Sequence, residues 1–98
     1  MVDDPSSVQL GWGPAAPPDK EQCEKYLQPR LAALVAASPL IATGHDIGLA
    51  IAPSSGTGEL QMASLVAVRR GQIEKTEIPA DVYQRIGDLV DEALLVMR

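Results

Sequence analysis

Few residues in this chain have the type and spacing to do chemistry, and each also has a simpler structural account. His45 and Asp46 are the one histidine–carboxylate neighbour pair. A catalytic dyad needs the acid to orient the imidazole and a nucleophile within reach of the other ring nitrogen. Adjacent residues rarely meet in that geometry, and no Ser or Cys is set beside this pair. His45, directly after Gly44, reads as a turn residue where a loop enters a strand. Cys23 is the single cysteine. It falls on the apolar face of a predicted helix, where thiols are core residues with raised pKa. A Cys23–His45 dyad would have to be assembled by tertiary contact. One His and one Cys supply neither a disulfide nor a structural zinc site.

Two further clusters have the same bland outcome. Ser54-Ser55-Gly56-Thr57-Gly58 is the one Gly/Ser-rich run. A phosphate cradle needs a strand before it and a helix N-terminus after it. Here a strand follows and no Lys accompanies the run, so a hairpin loop is expected. Arg69, Arg70 and Lys75 make a small basic spot flanked by Glu74 and Glu77. Three cations are too few for a nucleic-acid backbone and suit a solvated sheet edge. No catalytic residue, cofactor site or metal site is therefore assigned.

The most distinctive surface belongs to the C-terminal segment. Residues 79–97 read as a helix, with Pro79 at its first position and Asp81 in its first turn. Val82, Ile86, Leu89, Val90, Ala93, Leu94 and Met97 form an apolar stripe. Opposite it lie Asp81, Gln84, Asp88, Asp91 and Glu92, with Arg85 at one edge and a favourable Asp81–Arg85 spacing of four. Asp88, Asp91 and Glu92 surround Leu95. Carboxylates around one apolar side chain are the candidate partner-binding residues: Asp88, Asp91, Glu92 and Leu95.

The remaining elements must carry that helix. Residues 1–18 hold four Pro, and two readings of them stand: a flexible tail, or a short edge strand on the alternating Val8, Leu10 and Trp12. Pro14, Pro17 and Pro18 then make an extended connector. Residues 19–37 form a helix with an Asp19–Gln22 capping box. Its apolar face carries Cys23, Tyr26, Leu27, Leu31, Leu34 and Val35. Pro29 should kink or break it, and the phase of Arg30 depends on that outcome. A strand over 47–52 has a large face, Ile47, Leu49 and Ile51, and a tiny one, Gly48, Ala50 and Ala52, which suits close packing on the small side. A second strand over 59–70 places Leu60, Met62, Ser64, Val66 and Val68 on one face. Gly71 turns the chain into a third strand over 72–78, where the odd spacing of Ile73 and Ile78 predicts a bulge or an early end.

The predicted fold is α+β: a two-layer sandwich in which two helices cover an antiparallel sheet of three strands, or four with residues 8–12, in the order (β)αβββα. Residues 19–98 form the single domain expected of a 98-residue chain. Hydrophobic residues make up 46% and charged residues 21%, which excludes bulk disorder. Aromatics are 3%, with no Phe, so the stacking platforms of single-strand nucleic-acid binders are missing. A net charge of −5 opposes nucleic acid. The acidic N-terminus lacks the apolar core of a signal peptide, and no run approaches the ~18 residues of a membrane span, so a cytoplasmic location is expected. These features point to a small acidic protein-binding module without catalysis, of the inhibitor, antitoxin or immunity kind, that neutralises a partner with a basic surface. The alternative is a homo-oligomeric structural or regulatory protein such as a homodimer. A small enzyme is the third class.

Overall fold

The structure, a computed structural model, describes residues 4–13 and 18–96. The elements follow in the order β1 (Ser7–Trp12), α1 (Lys20–Ala36), β2 (His45–Pro53), β3 (Leu60–Arg69), β4 (Lys75–Thr76) and α2 (Ala80–Val96). The expected α+β sandwich is the observed architecture. One four-stranded sheet has the order β1-β2-β3-β4, with helices on one of its faces.

The sheet is mixed rather than antiparallel throughout. β1 runs parallel to β2, with Val8 opposite Ile47 and Leu10 opposite Leu49. Helix α1 is the reason. It carries the chain back along the sheet, so the strand after it starts at the same end as β1. The edge-strand reading of residues 7–12 is the one the structure adopts. Asp4 to Ser6 are held as well: Pro5 bridges Thr43, the Gly44 amide donates to the Asp4 carbonyl at 2.9 Å, and the Ser6 amide donates to the Ala42 carbonyl at 3.1 Å. The expected Pro-rich connector lies outside the described residues over 14–17, as does Met97.

Ile47, Leu49 and Ile51 of β2 are buried and meet Leu27, Leu31 and Val35 of α1 and Ile86, Val90 and Ala93 of α2 in one aliphatic core. Glycine and alanine on the opposite side of β2 suit close packing there. Instead no described element covers that side, and Gly48 is exposed. The small residues thus line an open sheet surface.

Strand β3 also departs from its expected face. Its register with β2 shifts between Ala50–Ser64 and Ile51–Met62, leaving Ala63 as an extra residue. A bulge of one residue inverts the alternation beyond it. Leu60 and Met62 therefore pack on the core from one side of the bulge, and Leu65 and Ala67 from the other. Ser64, Val66 and Val68 turn to the open face, opposite Ala50, Gly48 and Asp46. Of the bulge or early end expected over 72–78, the early end is what forms. β4 itself is two residues, Lys75 and Thr76, paired with Val68 and Ala67. Gly71, at φ 81°, makes the turn. Ile78 then leaves the sheet to pack on the core, and Pro79, which has no amide to donate, leads into α2.

α1 is not broken at Pro29. Pro29 and Lys25 are both exposed, so water can reach the Lys25 carbonyl that Pro29 leaves without an amide donor. The Arg30 side chain turns back on the same turn and donates to the Tyr26 carbonyl at 2.8 Å. Asp19 is the N-cap, but its side chain makes no capping bond, so the capping box is not formed. The Asp19 carbonyl alone accepts from the Gln22 and Cys23 amides.

Arg70 ties three segments together. Its Nε donates to Asp46 Oδ1 at 3.1 Å, and its guanidinium also donates to the Pro5 carbonyl at 3.0 Å. Ser7 Oγ donates to the same Asp46 oxygen at 2.9 Å. The Ser7 hydroxyl, and after it Arg70, hold the Asp46 carboxyl below the usual carboxylate range.

Two expectations follow. Ile86 is 1% exposed, so Ile86→Ala should cost ~2–5 kcal/mol, a drop of at least ~8 °C in thermal midpoint for a domain this size. Leu89→Ala, at a half-buried site, should lose less. Equal, small drops for both would show that α2 is not seated as described. Asp46 has a lowered folded pKa, so its contribution is present above about pH 4 and is lost as pH falls through the folded value. The difference in melting point between the parent and Asp46→Asn should therefore shrink on acidification, and a pH-independent difference would remove Asp46 from that role.

Candidate partner-binding face

α2 forms because its apolar residues recur at helical spacing and its first turn carries Asp81 near the positive end of the helix dipole. The same periodicity sends Asp88, Asp91, Glu92 and Leu95 outward together. They stand at i, i+3, i+4 and i+7, one ridge of the helix surface. All four are exposed, Leu95 by 65%.

The ridge is not one flat patch, because it divides two sets of recesses. On the α1 side, a groove of about 840 Å³ runs between the helices. Leu34, Leu40, Val82 and Leu89 give it an apolar floor, and Asp88, Glu92, Asp81, Arg30 and Arg85 give it a charged rim. Two of the rim residues also engage Tyr26: its hydroxyl donates to Glu92 Oε1 at 2.9 Å, and the Arg30 guanidinium lies 3.8 Å over its ring. The bond to Glu92 is the main cause that raises the Tyr26 phenol above its ordinary pKa. Arg30, whose phase the sequence left open, thus points to solvent and stacks on Tyr26 rather than pairing with an acid.

On the β3 side lie two smaller recesses. One, of about 240 Å³, is bounded by Gln61, Met62, Tyr83, Gln84, Gly87, Asp88 and Asp91. The other, of about 360 Å³, lies between the 54–59 loop and Asp91, Leu94 and Leu95. Asp88 accepts from Gln84 Nε2 at 3.0 Å, which holds its carboxylate on this ridge. α2 comes close to β3 here: a Cβ on Gly87 would stand 3.5 Å from Met62 Cε. The ridge residues were visible in the helical spacing. The recesses beside them were not, because they depend on how α2 lies against β3.

The residues with catalytic chemistry are not brought together. Cys23 is 1% exposed in the core, and burial is the largest cause raising its thiol pKa, with Asp19 and Glu24 adding to it. Its neighbour Glu24 accepts from Trp12 Nε1 at 2.5 Å, which fixes that turn of α1 near the Trp12–Ile51 end of the sheet. His45 opens β2 at the other end, roughly 20 Å away at the rise of a strand. It is buried, rather than in an open turn, and its Nδ1 bonds the Thr43 carbonyl at 2.8 Å. Among the described residues no cluster of three or more His, Cys, Asp or Glu could hold a metal ion, and no helix is long and apolar enough to cross a membrane. In the 54–59 loop Ser54 Oγ accepts from the Gly56 and Thr57 amides, a turn that satisfies its own backbone.

The fold and this face define a small two-layer α+β protein with a charged helical ridge flanked by recesses. Comparison with protein-family models, curated proteins and solved structures finds no match.

A buried, raised-pKa thiol should react slowly. Cys23 is expected to label with a thiol reagent at least ~100-fold faster in denaturant than in the native state. Comparable rates in the two states would place the thiol at the surface.

Proposed function

We propose that the chain is a cytoplasmic protein-binding module without catalysis of its own, which uses the α2 ridge to engage, and neutralise, a partner with a basic surface. The observation that carries this reading is the ridge itself. Asp88, Asp91 and Glu92 project together beside an exposed Leu95, with recesses on both sides that can receive partner side chains. Charge of this kind acts chiefly on the rate of encounter, and a desolvated apolar anchor supplies much of the affinity. An inhibitor, antitoxin or immunity protein works in this way, by covering a surface rather than turning over a substrate. That comparison rests on size, acidity and surface, not on a shared motif.

A homo-oligomeric reading has one observation in its favour, the uncovered sheet face lined by Gly11, Gly48, Ala50 and Ser64. Light scattering on the purified chain separates the two, because a stable dimer is needed for the second and a monomer for the first.

The test of the main reading is an affinity enrichment with the parent chain and with Asp88→Lys/Asp91→Lys as baits. Neither side chain is part of the core, so the variant should keep its melting point. A basic protein held by the parent and released by the variant, with binding that weakens as salt rises, is the expected result. If both baits retain the same proteins, or if the parent retains none, the ridge is not a partner-binding face.

A further inference from the structure

β3 is ten residues long, yet β4 pairs with only two of them, Ala67 and Val68. Over Leu60–Val66 the side of β3 that faces away from β2 has no strand partner among the described residues. An unpaired edge presents a row of amides and carbonyls ready to accept another strand. Proteins usually blunt such edges with Lys, Pro or inward-facing charge. This stretch, Leu-Gln-Met-Ala-Ser-Leu-Val, has none of these. The one blunting device it carries is the bulge at Ala63, which twists the edge locally. At the rise of an antiparallel strand the stretch is about 20 Å long, enough for a strand of five or six residues.

We propose that this edge binds an extended, Lys- or Arg-bearing segment of a protein partner as an added strand, in the row that β4 begins and then leaves. The proposal rests on the protein-binding reading above and specifies its mode. The open edge sets the backbone geometry. The chemistry of the occupant follows from what stands over the edge. Asp88 and Asp91 of α2 border the recesses along Gln61 and Met62, and no Lys or Arg is among the residues that line them. Alternate side chains of an added strand point to opposite faces. One set would reach these carboxylates, and the other would lie on the open side of the sheet beside Ser64 and Val66. A second copy of this chain is the weaker occupant: pairing two β3 edges about a two-fold axis would set two α2 acidic ridges side by side.

The experiment uses the full chain and a synthetic nine-residue peptide of alternating Val and Lys, with hydrogen exchange read residue by residue. The expected result is saturable binding together with at least ~10-fold slower exchange across 60–66. N-methylation of alternate peptide amides, which removes ladder donors but keeps the charge, should weaken binding by ~10-fold or more. Asp88→Asn/Asp91→Asn should weaken it by several-fold. Peptide binding that protects α2 alone, or that survives N-methylation, overturns the edge proposal and leaves the acidic ridge standing. Equal binding of a Val/Glu peptide overturns the choice of a basic occupant and the ridge reading with it. No binding at about 1 mM overturns the added strand. Protection of 60–66 that rises with protein concentration alone, with a dimer in light scattering, makes a second copy the occupant and overturns the hetero-partner.

Discussion

The row Ile47, Leu49 and Ile51 is the contact on which the molecule depends. These three side chains leave the second strand of the sheet on one face only and are almost wholly buried. Both helices are placed by covering them, and both flanking strands take their register from the residues that hold them. The opposite face of the same strand carries glycine and alanine, which offer little area to bury. A chain this short has apolar side chains for one core and not two. The asymmetry of β2 thus decides which side of the sheet receives the helices and which stays open.

Elements whose pattern is local were legible in the amino-acid order. The two helices, the central strand and the Gly71 turn are set by spacing within a few residues, and all are where that spacing puts them. The parallel pairing of β1 was not legible, because an alternating Val8-Leu10-Trp12 says that a strand exists and nothing of its neighbour. The facing of β3 is hidden in the sequence for a sharper reason. Leu60, Met62, Val66 and Val68 do alternate, and only the extra Ala63 shows that the alternation is broken in the middle. Small residues such as Ala63 and Ser64 are compatible with either face, so the sequence carries no penalty that would expose the shift.

The ridge on α2 was legible for the same reason that the helix was: four residues at helical spacing must share a face. What lies on either side of it was not. In the β4 register a full strand over 72–78 would reach only as far as Leu65 on β3, and the chain instead spends Ile78 on the core and Pro79 on entry to the helix. The open edge over 60–66 and the recesses beneath Asp88 and Asp91 follow from the turn into α2 at Pro79, which ends that row before it reaches Gln61 and Met62. Arg30 stacks on Tyr26 one turn away on α1, but the Tyr26–Glu92 bond crosses between the two helices, which no one-dimensional spacing reports.

The parallel placement of β1 also bears on the order in which the molecule is assembled. β2 and β3 are joined by a short loop and can pair as soon as both exist, whereas Ser7 must find Asp46 across 39 positions of chain, with all of α1 between them. Closing so long a loop costs more entropy than closing a hairpin. Its pairing gains from a surface already fixed by β2 and from the Asp46–Arg70 pair, which waits at the far end of β3. During synthesis β1 emerges before the strand it pairs with, so its docking waits for β2. Until Arg70 has left the exit tunnel, the N-terminal segment lacks the guanidinium that ties the Pro5 carbonyl to the finished sheet.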